Sequence, residues 1–343
     1  MFKNNNAFKL VCFVSILFVC ACSEHKNVEA IKAVEKSNAK LRVIRFENEL
    51  RSLQSITDVK AIATFNTKYF DFFDLFNTGI IRIGKSSSND YNARLQDFLN
   101  DKYINQLFQS TDSIYHNFST YESQLQEYFK YYKYYFPKKN IPYIYTFVSG
   151  FNCAVAPTDS ILAIGLDYFL GSTRNYYTLL EFPEYQKRKL KPEYLTATAF
   201  QQWIRTEFES DNKDHTLLAA IIAEGKVLYA SKQCMPEVND TIIFGFTQQQ
   251  LEWCNNSEFE IWSFLIDKKL LYNTNLTEFN RYIADGPFTP GMPRESPARA
   301  TCWLGYKIVD AFMKNNKNTD LEILMKQTNS QILLNKSKYK PHK

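Results

Sequence analysis

The chain has 343 residues, 45% of them hydrophobic and 16% aromatic, with 41 lysines and arginines against 36 aspartates and glutamates, a formal charge of +5. That is ample apolar material for a core, in one large domain or two smaller ones. The near balance of charge, without a dense Lys/Arg block, argues against a nucleic-acid partner. Twenty-eight Phe and 22 Tyr beside only 10 Gly point to helices with aromatic-filled interfaces and little flexible linker.

The first feature along the chain is an apolar run of 12 residues, Leu10 to Ala21. As a helix it would span about 18 Å, short of the roughly 30 Å hydrocarbon core of a bilayer. It suits a signal peptide instead, with Lys3 and Lys9 as the positive n-region. Val19-Cys20-Ala21-Cys22 resembles the lipobox of bacterial lipoprotein signals. The resemblance implies cleavage between Ala21 and Cys22, with lipid (palmitate) carried at Cys22 as the membrane anchor. Cys20 is a poor acceptor, because bulky Val19 would then sit at the cut. The alternatives are a plain secretory signal or a buried apolar helix with incidental cysteines. Removing residues 1–21 removes two lysines and no acid, so the mature charge is 39 against 36, or +3.

Four cysteines remain after the anchor: Cys153, Cys234, Cys254 and Cys302. Export would place them in an oxidising space, where four cysteines allow three pairings and sequence does not choose among them. None form C-x-x-C. Cys153 and Cys302 lie among apolar residues and read as small core side chains.

Residues 22–42 are polar and read as a tether; 43–343 read as one globular, mostly helical domain. Asp58 or Thr57 can cap a helix with Val59, Ile62, Phe65, Tyr69, Phe70 and Phe73 at helical spacing, stopped by Gly79. Ser119 with Glu122 has the form of a capping box for a helix that ends at Pro137. The period then changes. Residues 143–169 are rich in Val, Ile, Tyr and Phe and are punctuated by Ser149-Gly150 and Thr158-Asp159, which predicts two or three antiparallel strands. Helical spacing returns with Pro192 in the first turn of "PEYLTATAFQQWIRTEF", followed by the strongly apolar 216–230. Thr247 with Gln250, Ser257 with Glu260 and Thr319 with Glu322 are further capping-box pairs. Between them lies "DGPFTPGMPRESPAR" (285–299), a proline-rich, irregular and stiff loop that feeds a last amphipathic helix. The fold class is α+β: mostly α-helical, with a small antiparallel sheet.

Few patterns carry chemistry. His25, His116, His215 and His342 share no helical i, i+4 spacing, and H-E-x-x-H, G-x-S-x-G, the P-loop and G-x-G-x-x-G are all missing. No metal, cofactor or complete catalytic motif is indicated, and the expectation is a protein that is not an enzyme. "EYFKYYKYYFPKK" (127–139) has two readings. One is a glycan-stacking or membrane-surface face; the favoured one is a helix that buries Phe129, Tyr132 and Phe136 while its lysines meet water. "KRKLK" (187–191) reads as a solvated connector. Glu224 stands out, on an otherwise apolar helix, because a buried carboxylate is costly unless it is paired. It reads as a structural salt bridge, or as an acid in a cleft with Arg294 and Glu295 of the stiff loop as neighbours.

With the lipobox, "FVSGFNCAVA", "ILAIGLDYFLG", "KPEYL", "AEGKVLY", "LEWC", "ADGPFTPGMPRESP", "WLGYKIVDAFM" and "SKYKP" follow in an order that resembles the gliding-motility lipoprotein family GldB of Bacteroidetes. The resemblance covers nearly the whole mature chain. It implies a lipid-anchored envelope component of gliding and type IX secretion that binds protein partners, with no known enzymatic activity. A more remote likeness, of a sheet followed by two helices, is to gluzincin-type zinc metallopeptidases. It implies a degenerate zincin-like scaffold with Glu224 at the third ligand's place and no histidines on the preceding helix. The competing function is a divergent envelope hydrolase with a cleft around Glu224, Arg294 and Glu295. The sequence after Cys22, "SEHKN", lacks the acidic cluster of Bacteroidetes surface lipoproteins. The expected location therefore faces the periplasm, at the outer membrane in preference to the inner.

Overall fold

The computed structural model describes residues 31–32, 34–35, 37, 39–54, 56, 58–171, 175–209 and 214–342. The expected signal peptide with its Ala21–Cys22 junction, and most of the expected tether, lie outside the described residues. From residue 38 onward the chain forms one compact unit, mostly helical with a small sheet, of α+β class. Helices of eight residues or more are numbered here in chain order: α1 (Val59–Lys68), α2 (Tyr91–Asn100), α3 (Lys102–Tyr115), α4 (Ser119–Tyr135), α5 (Leu195–Glu207), α6 (Leu217–Cys234), α7 (Gln248–Asn256), α8 (Glu258–Asp267), α9 (Leu276–Ile283), α10 (Ala300–Asn315) and α11 (Ser330–Ser337).

The sheet has four strands, β1 (Arg42–Arg45), β2 (Tyr143–Phe147), β3 (Val155–Pro157) and β4 (Ile161–Gly165), in the order β1-β2-β4-β3. It is mixed, which corrects the antiparallel expectation. β3 and β4 form the expected antiparallel hairpin, but β4 pairs parallel with β2, and β1 joins parallel to β2 from a hundred residues earlier. Pro157 gives the reason. It has no N–H to donate, so β3 belongs at an edge, and β4 takes the inner place beside β2. β4 is buried along its whole length, as parallel strands covered on both faces are.

Alternate strand residues serve different cores. Tyr145, Phe147, Ile161 and Ala163 meet an aromatic cluster of Phe46, Phe65, Tyr69, Phe72, Phe73, Phe76 and Tyr91. Phe46 is its centre, with edge-on or tilted contacts to Phe65, Tyr69, Phe72, Phe73 and Phe76 at 4.8–6.1 Å between centroids, geometries that aromatic quadrupoles favour. On the sheet, α5 packs against β3 and β4. The segment after β4 is tied down by Asp167. Its Oδ2 accepts from the N–H of Ser149 at 3.1 Å and of Phe151 at 2.7 Å. Gly150 and Phe151 both have positive φ, which turns these N–H groups onto one point.

The tyrosine-rich helix α4 is core. Phe129 and Tyr132 are fully buried and Phe136 nearly so, against Phe200 and, for Phe136, Phe208. Tyr132 Oη donates to Glu207. Five of the seven rings in 127–139 pack inward, which leaves Tyr134 exposed and Tyr135 half-buried. The helix starts at Ser119, but Ser119 does not cap it; Phe118 is the N-cap, and the Asn117 side chain accepts from Ser119 N–H. Nor does Thr319 cap the following short helix: Asp320 does, accepting from Ile323 N–H at 2.7 Å, a carboxylate being favoured at the positive helix end. Ser257 is an N-cap without a side-chain bond. Thr247 with Gln250 forms the complete reciprocal box, and Asp58 caps α1.

The apolar helix α6 is central. It packs against α4, α5, α9, α10 and α11. Its contact with α10 is backbone on backbone. A Cβ on Gly225 would stand 2.3 Å from the Gly305 carbonyl carbon, and one on Gly305 would stand 1.9 Å from Ile221 O. Helices that touch this closely need both glycines. Gly225→Ala and Gly305→Ala should each destabilise the protein by about 3 kcal/mol, because pushing two packed helices apart outweighs the roughly 1 kcal/mol that alanine gains in helix propensity. Denaturant unfolding of the two variants measures this; unchanged or raised stability would refute the crossing.

Candidate functional site

The crossing fixes where Glu224 points. As the neighbour of Gly225 it cannot leave the α6–α10 junction, and it emerges at the edge of an open cleft of about 300 Å³ lined by Gln202, Arg205, Glu224, Ile283, Asp285 and Arg299. Four segments build this cleft. α6 brings Glu224, the C-terminal half of α5 brings Gln202 and Arg205, the end of α9 and the chain just after it bring Ile283 and Asp285, and the residue before α10 brings Arg299.

Glu224 is held by two guanidinium groups. Arg205 grips it in two-pronged fashion, Nε to Oε1 and Nη2 to Oε2, both at 3.0 Å. Arg299 Nη2 donates to Oε2 at 2.6 Å. Such charge-assisted pairs are the strong hydrogen bonds of proteins. Burial alone would push the Glu224 carboxyl up; the bonds from Arg205 and the charge of Arg299 outweigh it and hold the carboxyl below its ordinary value. Arg205 in turn donates through Nη1 to Gln202 at 3.0 Å. Burial works against the Arg299 charge too, but the Cys302 sulfur in its thiolate form and the Glu224 and Asp285 carboxylates hold its pKa above the ordinary value. Arg299 takes a left-handed backbone conformation, φ 63°, a strain on the order of 1–3 kcal/mol that the surrounding structure must impose.

Arg294 and Glu295 do not reach Glu224. Both are exposed and neither lines the cleft. The loop folds around Thr289 and Ser296, which are wholly buried. Thr289 Oγ1 donates to Pro297 O at 2.6 Å and accepts from Ala300 N–H, while Thr289 N–H donates to Ser296 Oγ. This knot throws residues 290–295 outward and delivers Arg299 inward. The loop is thus the source of the cation, five residues later than the sequence suggested.

A second, smaller space of about 20 Å³ adjoins the cleft and shares Asp285 and Arg299 with it. Its wall includes Arg188, Phe244, Phe246, Pro287 and Pro297. Arg188 donates to Gln250 Oε1 and Gly245 O, both at 2.8 Å. The ammonium of Lys189 bonds the Asp285 carboxylate. The basic run 187–191 is therefore no plain solvated connector: two of its cations are built into the cleft's surroundings. Burial pushes Lys189 down, Asp285 opposes this, and the charges of Arg299 and Arg188 add to the depression.

The remote likeness to metallopeptidases implied a zinc ligand at Glu224. Zinc takes Cys, His or carboxylate donors. Here the facing helix offers Gln201, Gln202 and Arg205, and two guanidinium cations already bind both carboxylate oxygens. These residues do not fit a metal cation. Among the described residues no group of three or more His, Cys, Asp or Glu could hold one. Cys153, Cys234, Cys254 and Cys302 stand as free thiols, the last three buried.

A family model described as gliding motility protein GldB matches residues 26–341. The chain belongs to the GldB family. The match spans the sheet, the two crossing helices and the loop between α9 and α10, so the whole framework of the cleft lies within the family region. No curated protein and no solved structure matches the chain. Among the described residues no helix is long and apolar enough to cross a membrane.

Glu224→Gln removes the charge that Arg205 and Arg299 share. A loss of about 2 kcal/mol at neutral pH is expected, less than the 3–5 of a fully buried pair because a fifth of the side chain is exposed. A lowered carboxyl contributes stability that is fully present above its unfolded value and is lost as pH falls through the folded one. The gap between wild type and variant should therefore narrow once the pH drops below about 4.5. Thermal melts from pH 7 to pH 3 read both; a gap that widens on acidification would contradict the assignment.

Proposed function

We propose that this GldB-family protein is a lipid-anchored component of the cell envelope that serves gliding motility, in the same system as type IX secretion, by binding partner proteins and without catalysis. The family match over residues 26–341 carries the motility part of this reading. The lipobox supports the anchor: acyl chains at Cys22 contribute about 0.8 kcal/mol per buried CH₂, so that two or more chains hold the protein on its membrane for good. The site supports the non-catalytic part. A general base works best with a pKa near the operating pH, and the guanidinium groups of Arg205 and Arg299 hold the Glu224 carboxyl below its ordinary value. The missing acidic cluster after Cys22 supports a periplasm-facing protein, at the outer membrane in preference to the inner.

The experiment is deletion in the native host with complementation in trans. Colony spreading or the secreted-protein profile should fail on deletion and return with the wild-type gene. Cys22→Ala should lose incorporation of labelled palmitate and fail to complement. Protease added to intact cells should leave the protein undigested. Normal spreading and secretion in the deletion strain would remove the motility reading, and digestion on intact cells would overturn the periplasmic location.

A further inference from the structure

Buried Lys226 donates to Met325 O at 3.1 Å and Gln327 O at 2.9 Å, which accounts for it as a clasp on a helix end. Asp167 is likewise accounted for by the loop that it holds. The cleft beside Glu224 is different, because its charges are not balanced. The residues lining the two adjoining spaces, with Lys189, comprise four cations (Arg188, Lys189, Arg205, Arg299) and two carboxylates (Glu224, Asp285), a surplus of +2. Two ion-paired sets absorb part of this. Lys189 with Asp285 is neutral, and Arg205 with Glu224 and Arg299 leaves one positive charge. Arg188 has only the neutral acceptors Gln250 and Gly245, and its buried Nε has no hydrogen-bond partner among the described residues.

We propose that this cleft binds a short acidic peptide segment of a partner protein, with an Asp or Glu carboxylate drawn to the Arg188–Arg299 side and the flanking peptide in the larger space. The assignment rests on the partner-binding reading above and names the ligand class. The surplus charge calls for an anion. The lining interleaves acceptors (Glu224, Asp285) with donors (Arg205, Arg299, Gln202), so the occupant must offer N–H groups as well as an anion. A peptide main chain beside an acidic side chain does both; a phosphate group is chiefly an acceptor, and with its charge of about −1.5 to −2 it would confront Glu224 and Asp285. A volume of about 300 Å³ lies at the small end of ligand sites, enough for a side chain and its adjoining backbone. Glu224 is a positioning residue here: it sets the two guanidinium groups that face the occupant.

The test uses the full mature chain on an array of N-acetylated, C-amidated hexapeptides, each Asp- or Glu-containing peptide paired with its Asn or Gln counterpart. At least tenfold stronger retention of a subset of acidic members is expected, with that preference lost in Arg188→Gln and reduced in Gln202→Ala. Both variants should melt within a few degrees of wild type. Should Arg188→Gln unfold, competition on the wild type decides: millimolar N-acetylaspartate amide should displace the retained peptides, and inorganic phosphate at the same concentration should not. Equal retention of acids and amides, retention that persists in a folded Arg188→Gln, or displacement by phosphate alone would each overturn the proposal, the last assigning the cleft to phosphate groups. The two readings fail separately. If the array shows no acid preference while deletion still abolishes spreading, the motility reading stands and only this ligand class falls.

Discussion

Two glycines on facing helices hold the arrangement together. Gly225 of α6 and Gly305 of α10 meet with their backbones nearly in contact and no side chain between them. Everything at the cleft is measured from that point. Glu224 precedes one glycine, and Arg299 lies six residues, about 9 Å of helical rise, before the other. Once the crossing is fixed, the carboxylate and the guanidinium must face each other across it. Arg205 arrives on α5, a helix that also packs on the sheet. The cleft is therefore tied through α5 and α6 to the packed helices and the sheet.

The charge cluster follows from this placement. A carboxylate on the apolar helix α6 would be costly by itself, and one guanidinium would be enough to neutralise it. The structure supplies two, and places Lys189 with Asp285 and Arg188 close by. Arg299 reaches its position through a strained backbone, and the buried hydroxyls of Thr289 and Ser296 tie the loop that delivers it. A cluster intended only to satisfy Glu224 would need neither the second arginine nor the unpaired surplus. That excess is the observation on which the proposed binding of an acidic segment rests.

The aromatic content serves packing. Phenylalanines and tyrosines fill the cluster on one side of the sheet and the interface between α4 and α5, mostly in edge-on or tilted contacts. Tyrosine suits this use because its ring is buried while its hydroxyl still finds a partner, as Tyr115 does with Phe169 O at 2.6 Å and Tyr132 with Glu207 at 2.8 Å. The two cores leave the sheet covered on both faces, which is why its central strand β4 is apolar throughout.

Local chemistry in the sequence determined the helical class, the change of period at residue 143, the inward face of α4 and several helix starts, because periodicity and capping act over a few residues. It also singled out Glu224, since a carboxylate in an apolar run is visible without any fold. The family order of motifs was legible in the same way. Only the tertiary structure decided the rest. Strand β1 is four residues long, too short to carry a pattern, and its parallel pairing joins segments a hundred residues apart. The partner of Glu224 proved to be Arg299 and not Arg294 or Glu295, because the knot around Thr289 sets which side of the loop faces inward. Arg205 looked like any polar residue on an amphipathic helix, and Gly225 like a mild helix weakness. Their roles depend on which backbone lies opposite, and that is fixed by long-range packing, to which no local pattern in the sequence refers.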